Sequence, residues 1–305
     1  MYYEETDQPC IPKTWNISDD LGQIEYIFSD KTGTLTQNVM EYRRCTIDGV
    51  AYGLGTTEAE QGAKKREKES YDSSTPVDVD KKVSDDSDDE SDIDDLEKAS
   101  RIMLEKQAEL FDNKYLGPNP TFVDPKLFED LAANNQHSMA IVHFFSSLAL
   151  CHTVIVERPD PDNPNYIEYK AQSPDEAALV STARDLGFAF TGREKDTIIL
   201  DVMGERKEFE LLNVLEFNST RKRMSVIVRA HDSDRIILLC KGADSVIYEH
   251  LETDFKDQAE LEKSQKALQE ATTRDLEAFA NQGTFFDHKS CKFLKCLVLI
   301  FFSTH

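Results

Sequence analysis

The sequence contains no apolar run long enough to cross a membrane. Its longest uninterrupted apolar stretch, residues 296–302, has only seven residues, whereas a membrane-spanning helix needs about 20. The sequence also shows no signal-peptide pattern. From these two absences we expect the chain alone to be cytosolic.

Positive charge is also scarce. The chain of 305 residues has 35 basic and 58 acidic side chains, which gives a formal net charge of −23. Such a charge argues against nucleic acid as a partner and against a basic surface that binds membranes. The negative charge is concentrated at residues 85–97, which hold nine acidic residues and no basic one.

Paired metal-binding or disulfide-forming cysteines are missing as well. None of the six cysteines forms a CxxC pair, and their spacing shows no regular framework, so we expect reduced thiols. His143 and His152 have no carboxylate or cysteine at the spacing of a zinc site. The cysteines are residues 10, 45, 151, 240, 291 and 296.

Aromatic residues almost vanish between residues 55 and 100, where Ser, Asp, Glu and Lys dominate. A segment of this composition cannot bury enough apolar surface to offset the entropy lost on ordering. We therefore predict a disordered acidic insertion over about residues 55–120.

Hydrophobic periodicity predicts an α/β chain. A nearly continuous apolar run over residues 23–28 is typical of a strand buried on both faces. Helical spacing starts at Asp124 and ends near Cys151. Further strands are predicted at 166–171, 195–203, 208–217, 224–229 and 235–240, and helices at 175–186, 243–251 and 257–281. We expect a mostly antiparallel sheet flanked by helices in this second region.

An aspartate follows the first predicted strand directly, because residues 30–36 read DKTGTLT. Ligands bind at the carboxyl ends of strands in open α/β sheets, and Gly33 allows a close backbone approach. Asp30 so placed could attack a phosphoryl group, with Lys31 supplying positive charge. A polar exit from a strand into a turn is the alternative interpretation.

Four later positions each have a structural and a ligand-binding interpretation. Glu176 is the fourth residue of Ser-Pro-Asp-Glu, a pattern that predicts a helix capping box. Phe217 alternates with apolar residues of a predicted strand, which favours the core, but a polar turn follows it. Lys222 lies between two arginines, which could attract phosphates or form a solvated turn. Lys241 precedes Gly242 after an apolar strand, which suggests a ligand close to the backbone, whereas a surface lysine at a strand end is the alternative.

The run at residues 30–36 resembles the phosphorylation motif of the P-type ATPases. Residues 171–180, 215–229 and 240–251 are similar to the nucleotide-binding domain of the type IV branch, the phospholipid flippases. The resemblance implies that Asp30 is the phosphorylated nucleophile. It also implies Mg²⁺ at Asp30 and Thr32. The implied ATP-binding residues are Asp30, Lys31, Thr32, Glu176, Phe217, Ser219, Lys222 and Lys241.

The resemblance further implies the domain organisation. Residues 1–45 would be the start of a Rossmann-like phosphorylation domain of the haloacid-dehalogenase type, here incomplete. Residues 46–283 would be the nucleotide-binding domain with its acidic insertion. Residues 284–305 resemble no part of this fold, so we interpret them as an unrelated hydrophobic tail.

The implied function is that of a cytosolic portion of a phospholipid-translocating ATPase. The full-length parent would lie in a membrane, bind phospholipid through transmembrane helices that this chain lacks, and pair with an accessory subunit. A non-catalytic nucleotide-binding module, or a truncated product without function, is the alternative. We expect the chain alone to be inactive.

Overall fold

The structure, a computed structural model, describes residues 2–3, 8–9, 22–30, 34, 40–54, 87–251, 259–281 and 297–302. The chain divides into two compact units, Met1–Val39 and Met40–His305. In the first unit, strand β1 (Tyr2–Tyr3) pairs antiparallel with strand β2 (Gln8–Pro9).

The strand predicted over residues 23–28 is not formed. Residues 24–30 have no regular secondary structure, and their apolar side chains face solvent. Tyr26 is 76% exposed, Ile27 87% and Phe28 96%. A strand that is apolar on both faces needs paired neighbours to bond its backbone and cover its side chains. Among the described residues of this unit, no strand pairs with it.

The second unit is built on a six-stranded sheet. The strands are β7 (Phe188–Glu194), β8 (Thr197–Val202), β9 (Glu205–Leu215), β10 (Arg223–Ala230), β11 (Ile236–Gly242) and β12 (Leu297–Phe302). Their order in the sheet is β12-β11-β10-β9-β8-β7, and every neighbouring pair is antiparallel. This confirms the antiparallel sheet expected from the alternating sequence.

Helices and two small ribbons surround this sheet. The ribbons are β3 (Cys45–Ile47) with β4 (Val50–Tyr52), and β5 (Ile155–Glu157) with β6 (Glu168–Lys170). The helices are α1 (Ser87–Leu110), α2 (Pro125–Ala132), α3 (Gln136–Leu150), α4 (Pro174–Asp185), α5 (Asp244–Tyr248) and α6 (Ala259–Asn281). Within the part of the chain that is described, none of the helices is both long and apolar enough to span a bilayer.

The main core lies where α3 and α4 pack on one face of the sheet. Phe145 of α3 and Phe188 of β7 are fully buried, and their rings stack with centroids 5.6 Å apart. Val226 and Val228 of β10 are completely buried on the sheet. Each such side chain contributes about 1.5–3 kcal/mol to folding, so this layer fixes the position of α4.

The acidic insertion is ordered from Ser87 onward, so the predicted disorder up to about residue 120 is wrong for residues 87–120. Met103 is 2% exposed and Gln107 3%, and α1 packs against α2. Met103, Gln107 and Phe111 recur at a four-residue spacing, which places them on one helix face. Gln107 Nε2 also donates to the Asp185 carbonyl at 2.9 Å. Residues 55–86 lie outside the described residues.

The segment interpreted as an unrelated tail contributes a strand to the sheet. Strand β12 pairs with β11 in antiparallel register, from Ile237 opposite Phe302 to Gly242 opposite Leu297. Strand pairing uses backbone groups, so a sequence without family resemblance can take this place if it is apolar and extended. The hydrophobic pattern of residues 297–302 was the signal for it.

Tyr52 joins the β3–β4 ribbon to the helical layer. Its hydroxyl donates to Asp130 Oδ2 on α2 at 2.5 Å and lies 2.6 Å from His137 Nε2 on α3. The other ring nitrogen of His137 lies 3.2 Å from Asp48 Oδ2 in the ribbon turn. Burial, together with the hydrogen bond to Asp130, raises the pKa of Tyr52, so the hydroxyl stays a proton donor.

We expect Tyr52→Phe to lower the free energy of unfolding by about 1–2 kcal/mol. The substitution removes a hydrogen bond to a charged group and keeps the ring in the core. Urea denaturation followed by circular dichroism measures the change. Tyr166→Phe is the control, because the Tyr166 hydroxyl bonds Glu168 at the surface. Equal midpoints for Tyr52→Phe and wild type would contradict the role given to Tyr52.

Candidate functional site

The start of helix α4 differs from the predicted capping box. Ser173 occupies the N-cap position with extended backbone and Pro174 follows, as predicted, but the Ser173 side chain makes no cap hydrogen bond. The backbone N–H of Glu176 donates to the Ser173 carbonyl at 3.2 Å. The Glu176 carboxylate is bonded elsewhere, so the interpretation of Glu176 as a cap is wrong.

The Glu176 carboxylate forms an ion pair with Lys241. Lys241 Nζ lies 3.0 Å from Glu176 Oε1, and each side chain is 12% exposed. The second oxygen, Oε2, accepts a hydrogen bond from Thr153 Oγ1 at 2.8 Å. Removing one partner of a buried pair leaves an uncompensated charge, which costs about 3–5 kcal/mol. The pair therefore links α4 firmly to β11.

The protonation of Glu176 follows from these contacts. Burial alone would raise its pKa, but the Lys241 charge and the hydrogen bonds from Thr153 and Lys241 outweigh burial and hold the pKa below its usual range. Glu176 is therefore ionised at neutral pH. The site offers one anionic and one cationic group within hydrogen-bond distance of each other.

His152 lies beside this pair and is buried. Its Nδ1 accepts a hydrogen bond from the Val154 N–H at 3.1 Å, so its Nε2 carries the proton and donates to the Ala149 carbonyl at 2.8 Å. Burial and the nearby Lys241 charge lower the pKa of His152 to about 4. The ring is therefore neutral at physiological pH.

Gly242 brings the neighbouring strand close to Lys241. Register pairs Met224 with Lys241 and Arg223 with Gly242. A Cβ at Gly242 would lie 2.6 Å from the Arg223 Cβ and 2.8 Å from the Lys222 carbonyl oxygen. The close approach of strand β10 therefore accounts for the glycine, and the ligand expected beside this backbone stays a prediction.

The turn between β9 and β10 carries two further predicted residues, Ser219 and Lys222, both exposed. The Lys222 N–H donates to the Asn218 carbonyl at 2.8 Å, and Lys222 has a left-handed φ of 52°. The Lys222 carbonyl accepts from Ala243 N–H at 3.3 Å. The first bond closes the turn, and the second fastens it to the residues that directly follow Lys241.

Phe217 lies outside the core. Strand β9 ends at Leu215 rather than at Phe217, and the Phe217 side chain is 64% exposed. The alternation that favoured a core position stops where the strand stops. An exposed aromatic ring between a strand and a polar turn is free to stack on a planar ligand.

The predicted residues of the larger unit thus lie around one end of the sheet, with Glu176 and Lys241 in direct contact. Asp30 belongs to the other unit and is exposed, while Lys31 and Thr32 lie outside the described residues. No group of three or more metal-ligating side chains occurs in the part described. Thr32, one of the two residues expected to bind Mg²⁺, lies outside the described residues, so the Mg²⁺ site at Asp30 and Thr32 stays a prediction.

Sequence reasoning missed Thr153 and the positional role of His152. Both contact the site across the fold, since Thr153 and Glu176 are separated by 23 residues. No local pattern marks such a contact. The adjacent pair His-Thr after the apolar helix α3 was the only available signal.

Comparison with known proteins identifies the family. The family model described as "P-type ATPase, cytoplasmic domain N" matches residues 140–285, which include Glu176, Phe217 and Lys241. The chain belongs to the type IV P-type ATPases. In this family the cytoplasmic domain N is the nucleotide-binding region.

Several curated relatives are phospholipid-transporting ATPases. The chain is 46% identical over 284 residues to phospholipid-transporting ATPase DNF2 of Saccharomyces cerevisiae, covering 90% of this chain. It is 48% identical to DNF1 of Chaetomium thermophilum, covering 93% of this chain. It is 40% identical to phospholipid-transporting ATPase IC of Xenopus tropicalis, covering 88% of this chain. The chain spans only 17% of the length of each of these relatives.

Acid should destabilise this unit partly through His152. The unfolded chain binds a proton on this imidazole near pH 6.5, whereas the folded chain resists protonation until about pH 4. Stability from this residue is therefore complete above pH 6.5 and is lost as pH falls towards 4, by about 3 kcal/mol in total. We expect His152→Gln to reduce the pH dependence of the unfolding free energy in this range. Denaturant titrations between pH 4 and 8 measure it, and identical pH slopes would contradict the assignment.

Proposed function

We propose that this chain is the nucleotide-binding region, with the start of the phosphorylation region, of a phospholipid-translocating P-type ATPase. The observation that carries the proposal is the Glu176–Lys241 ion pair, fixed at 3.0 Å at one end of the sheet. It lies within the residues matched to the cytoplasmic domain N. The relatives' names supply the transported class, phospholipid.

The arrangement suits ATP for physical reasons. Phe217 offers an exposed ring on which adenine can stack. Lys222 and Lys241 supply positive charge for phosphates in a chain whose net charge is −23. Ser219 adds a hydroxyl in the same turn as Lys222. Glu176 offers a carboxylate that can accept hydrogen bonds from a bound ligand.

We further propose Asp30 as the residue phosphorylated in the full-length parent, with Lys31 and Thr32 beside the phosphate and Mg²⁺ at Asp30 and Thr32. The support is the motif at residues 30–36 together with the family. We propose domain limits at residues 1–45 and 46–283. In the parent, the transmembrane helices, the phospholipid and an accessory subunit would act with this portion on the cytosolic side.

We expect this chain to bind ATP without hydrolysing it. The proposed nucleotide residues lie in one unit, whereas Asp30 lies in an exposed segment without regular structure. Phosphoryl transfer depends on positioning and charge stabilisation, and this segment provides no fixed position for Asp30. Isothermal titration with ATP, run beside a phosphate-release assay with Mg²⁺, tests both statements. Release that disappears in Asp30→Asn would contradict the expectation.

Phe217→Ala should weaken ATP binding by about 1–3 kcal/mol, the range measured for stacking of an aromatic side chain on a base. The unfolding free energy should change little, because the ring is 64% exposed. Met139→Ala is the matched control, since Met139 is 57% exposed on α3, outside the proposed site. Loss of folding in Phe217→Ala, or equal affinity in both variants, would contradict the stacking role.

A further inference from the structure

The short connection between α3 and β5 has one exposed side chain among buried ones. Cys151, His152 and Val154 are buried, whereas Thr153 is exposed and directs its hydroxyl to Glu176. The exposed residue of this connection is thus the one that contacts the proposed nucleotide site.

His152 fixes the backbone on both sides of Thr153. Its Nε2 donates to the Ala149 carbonyl at the end of α3, and its Nδ1 accepts from the Val154 N–H. Its ring also packs edge-on against Phe190 of β7, with ring centroids 4.4 Å apart. The connection is therefore held to the helix behind it, to the sheet below it and to its own next residue.

Two donors from different parts of the fold hold the Glu176 carboxylate. Lys241 Nζ from β11 occupies Oε1, and Thr153 Oγ1 from the α3–β5 connection occupies Oε2. A carboxylate bonded at one oxygen can turn about its last torsion, because that torsion is broad. Bonds at both oxygens fix its plane. Each oxygen keeps one further lone-pair site that a ligand can use.

We propose that Thr153, held in place by His152, is a positioning residue that fixes the plane of the Glu176 carboxylate in the nucleotide site. This inference rests on the proposed nucleotide function. Thr153 does not itself have to touch the nucleotide. Its hydroxyl acts through Glu176.

Thr153→Val tests this role, because valine keeps the shape and removes the hydroxyl. Two results are expected. The Glu176 carboxyl should titrate at higher pH, since a hydrogen bond to its ionised form is lost. ATP affinity should fall about five- to tenfold, the equivalent of one net hydrogen bond. Thr153→Ser restores the donor and should return both values to within about twofold of wild type.

The titration is read from the carboxyl ¹³C signals of chains labelled on glutamate, with the Glu176 signal assigned by its absence in Glu176→Gln. Affinity is read by titration with ATP. Thr273→Val is the matched control, because the Thr273 hydroxyl donates to the Gln269 carbonyl of α6 at 2.9 Å and lies 3.5 Å from the Tyr248 hydroxyl of α5. This control should leave the Glu176 titration and the ATP affinity unchanged.

The outcomes separate the two proposals. Wild-type chain that fails to bind ATP overturns the proposed function, and with it a positioning role in that site. Wild-type chain that binds ATP, combined with an unchanged Glu176 titration in Thr153→Val, overturns the positioning inference alone. An altered titration of Glu176 combined with an unchanged ATP affinity also overturns the positioning inference. Titration of Glu176 at higher pH, weaker ATP affinity, and recovery of both values in Thr153→Ser together support the positioning inference.

Discussion

One ion pair, between Glu176 and Lys241, connects the helical layer to the sheet where the candidate site lies. Placing two charges at 12% exposure is unfavourable unless the pair is close and its remaining oxygens are bonded. Thr153 meets that condition for the second carboxylate oxygen. The direction of α4, the end of β11 and the α3–β5 connection therefore depend on one another. A displacement of any one would leave a charge or a hydroxyl unpaired.

Much of the larger unit was predictable because its residues follow simple periods. Alternating residues in β10 predicted a sheet strand, and apolar residues at helical spacing predicted the helical region that ends near Cys151. The helix Ser87–Leu110 was missed because its acidic N-terminal half dominated the composition of the segment. The strand expected at residues 23–28 shows the opposite error. Its apolar pattern is suited to a buried strand, but a strand forms only where neighbouring strands pair with it. The local sequence does not show whether such neighbours are present.

The candidate site was predictable in its residue types and only partly in its geometry. Lys241 was identified because it lies between an apolar strand and a glycine, and in the structure it forms an ion pair with Glu176. The Ser-Pro-Asp-Glu pattern favoured a helix cap, yet the Glu176 carboxylate bonds Lys241 and Thr153, which are distant in the sequence. A buried carboxylate gains more from a cation than from a backbone N–H at a solvated helix end. A pattern of four residues cannot show whether a cation from elsewhere in the fold will reach the carboxylate.

Strand β12 affects how often the backbone around Lys241 opens locally to solvent. Because β12 and β10 flank β11 on its two sides, the backbone amides around Lys241 are bonded within the interior of a sheet. Such amides exchange their hydrogens with solvent only through larger opening events, while exposed segments outside helices and strands exchange much faster. We therefore expect slow amide exchange in the strand that carries Lys241 and fast exchange in the segment that carries Asp30.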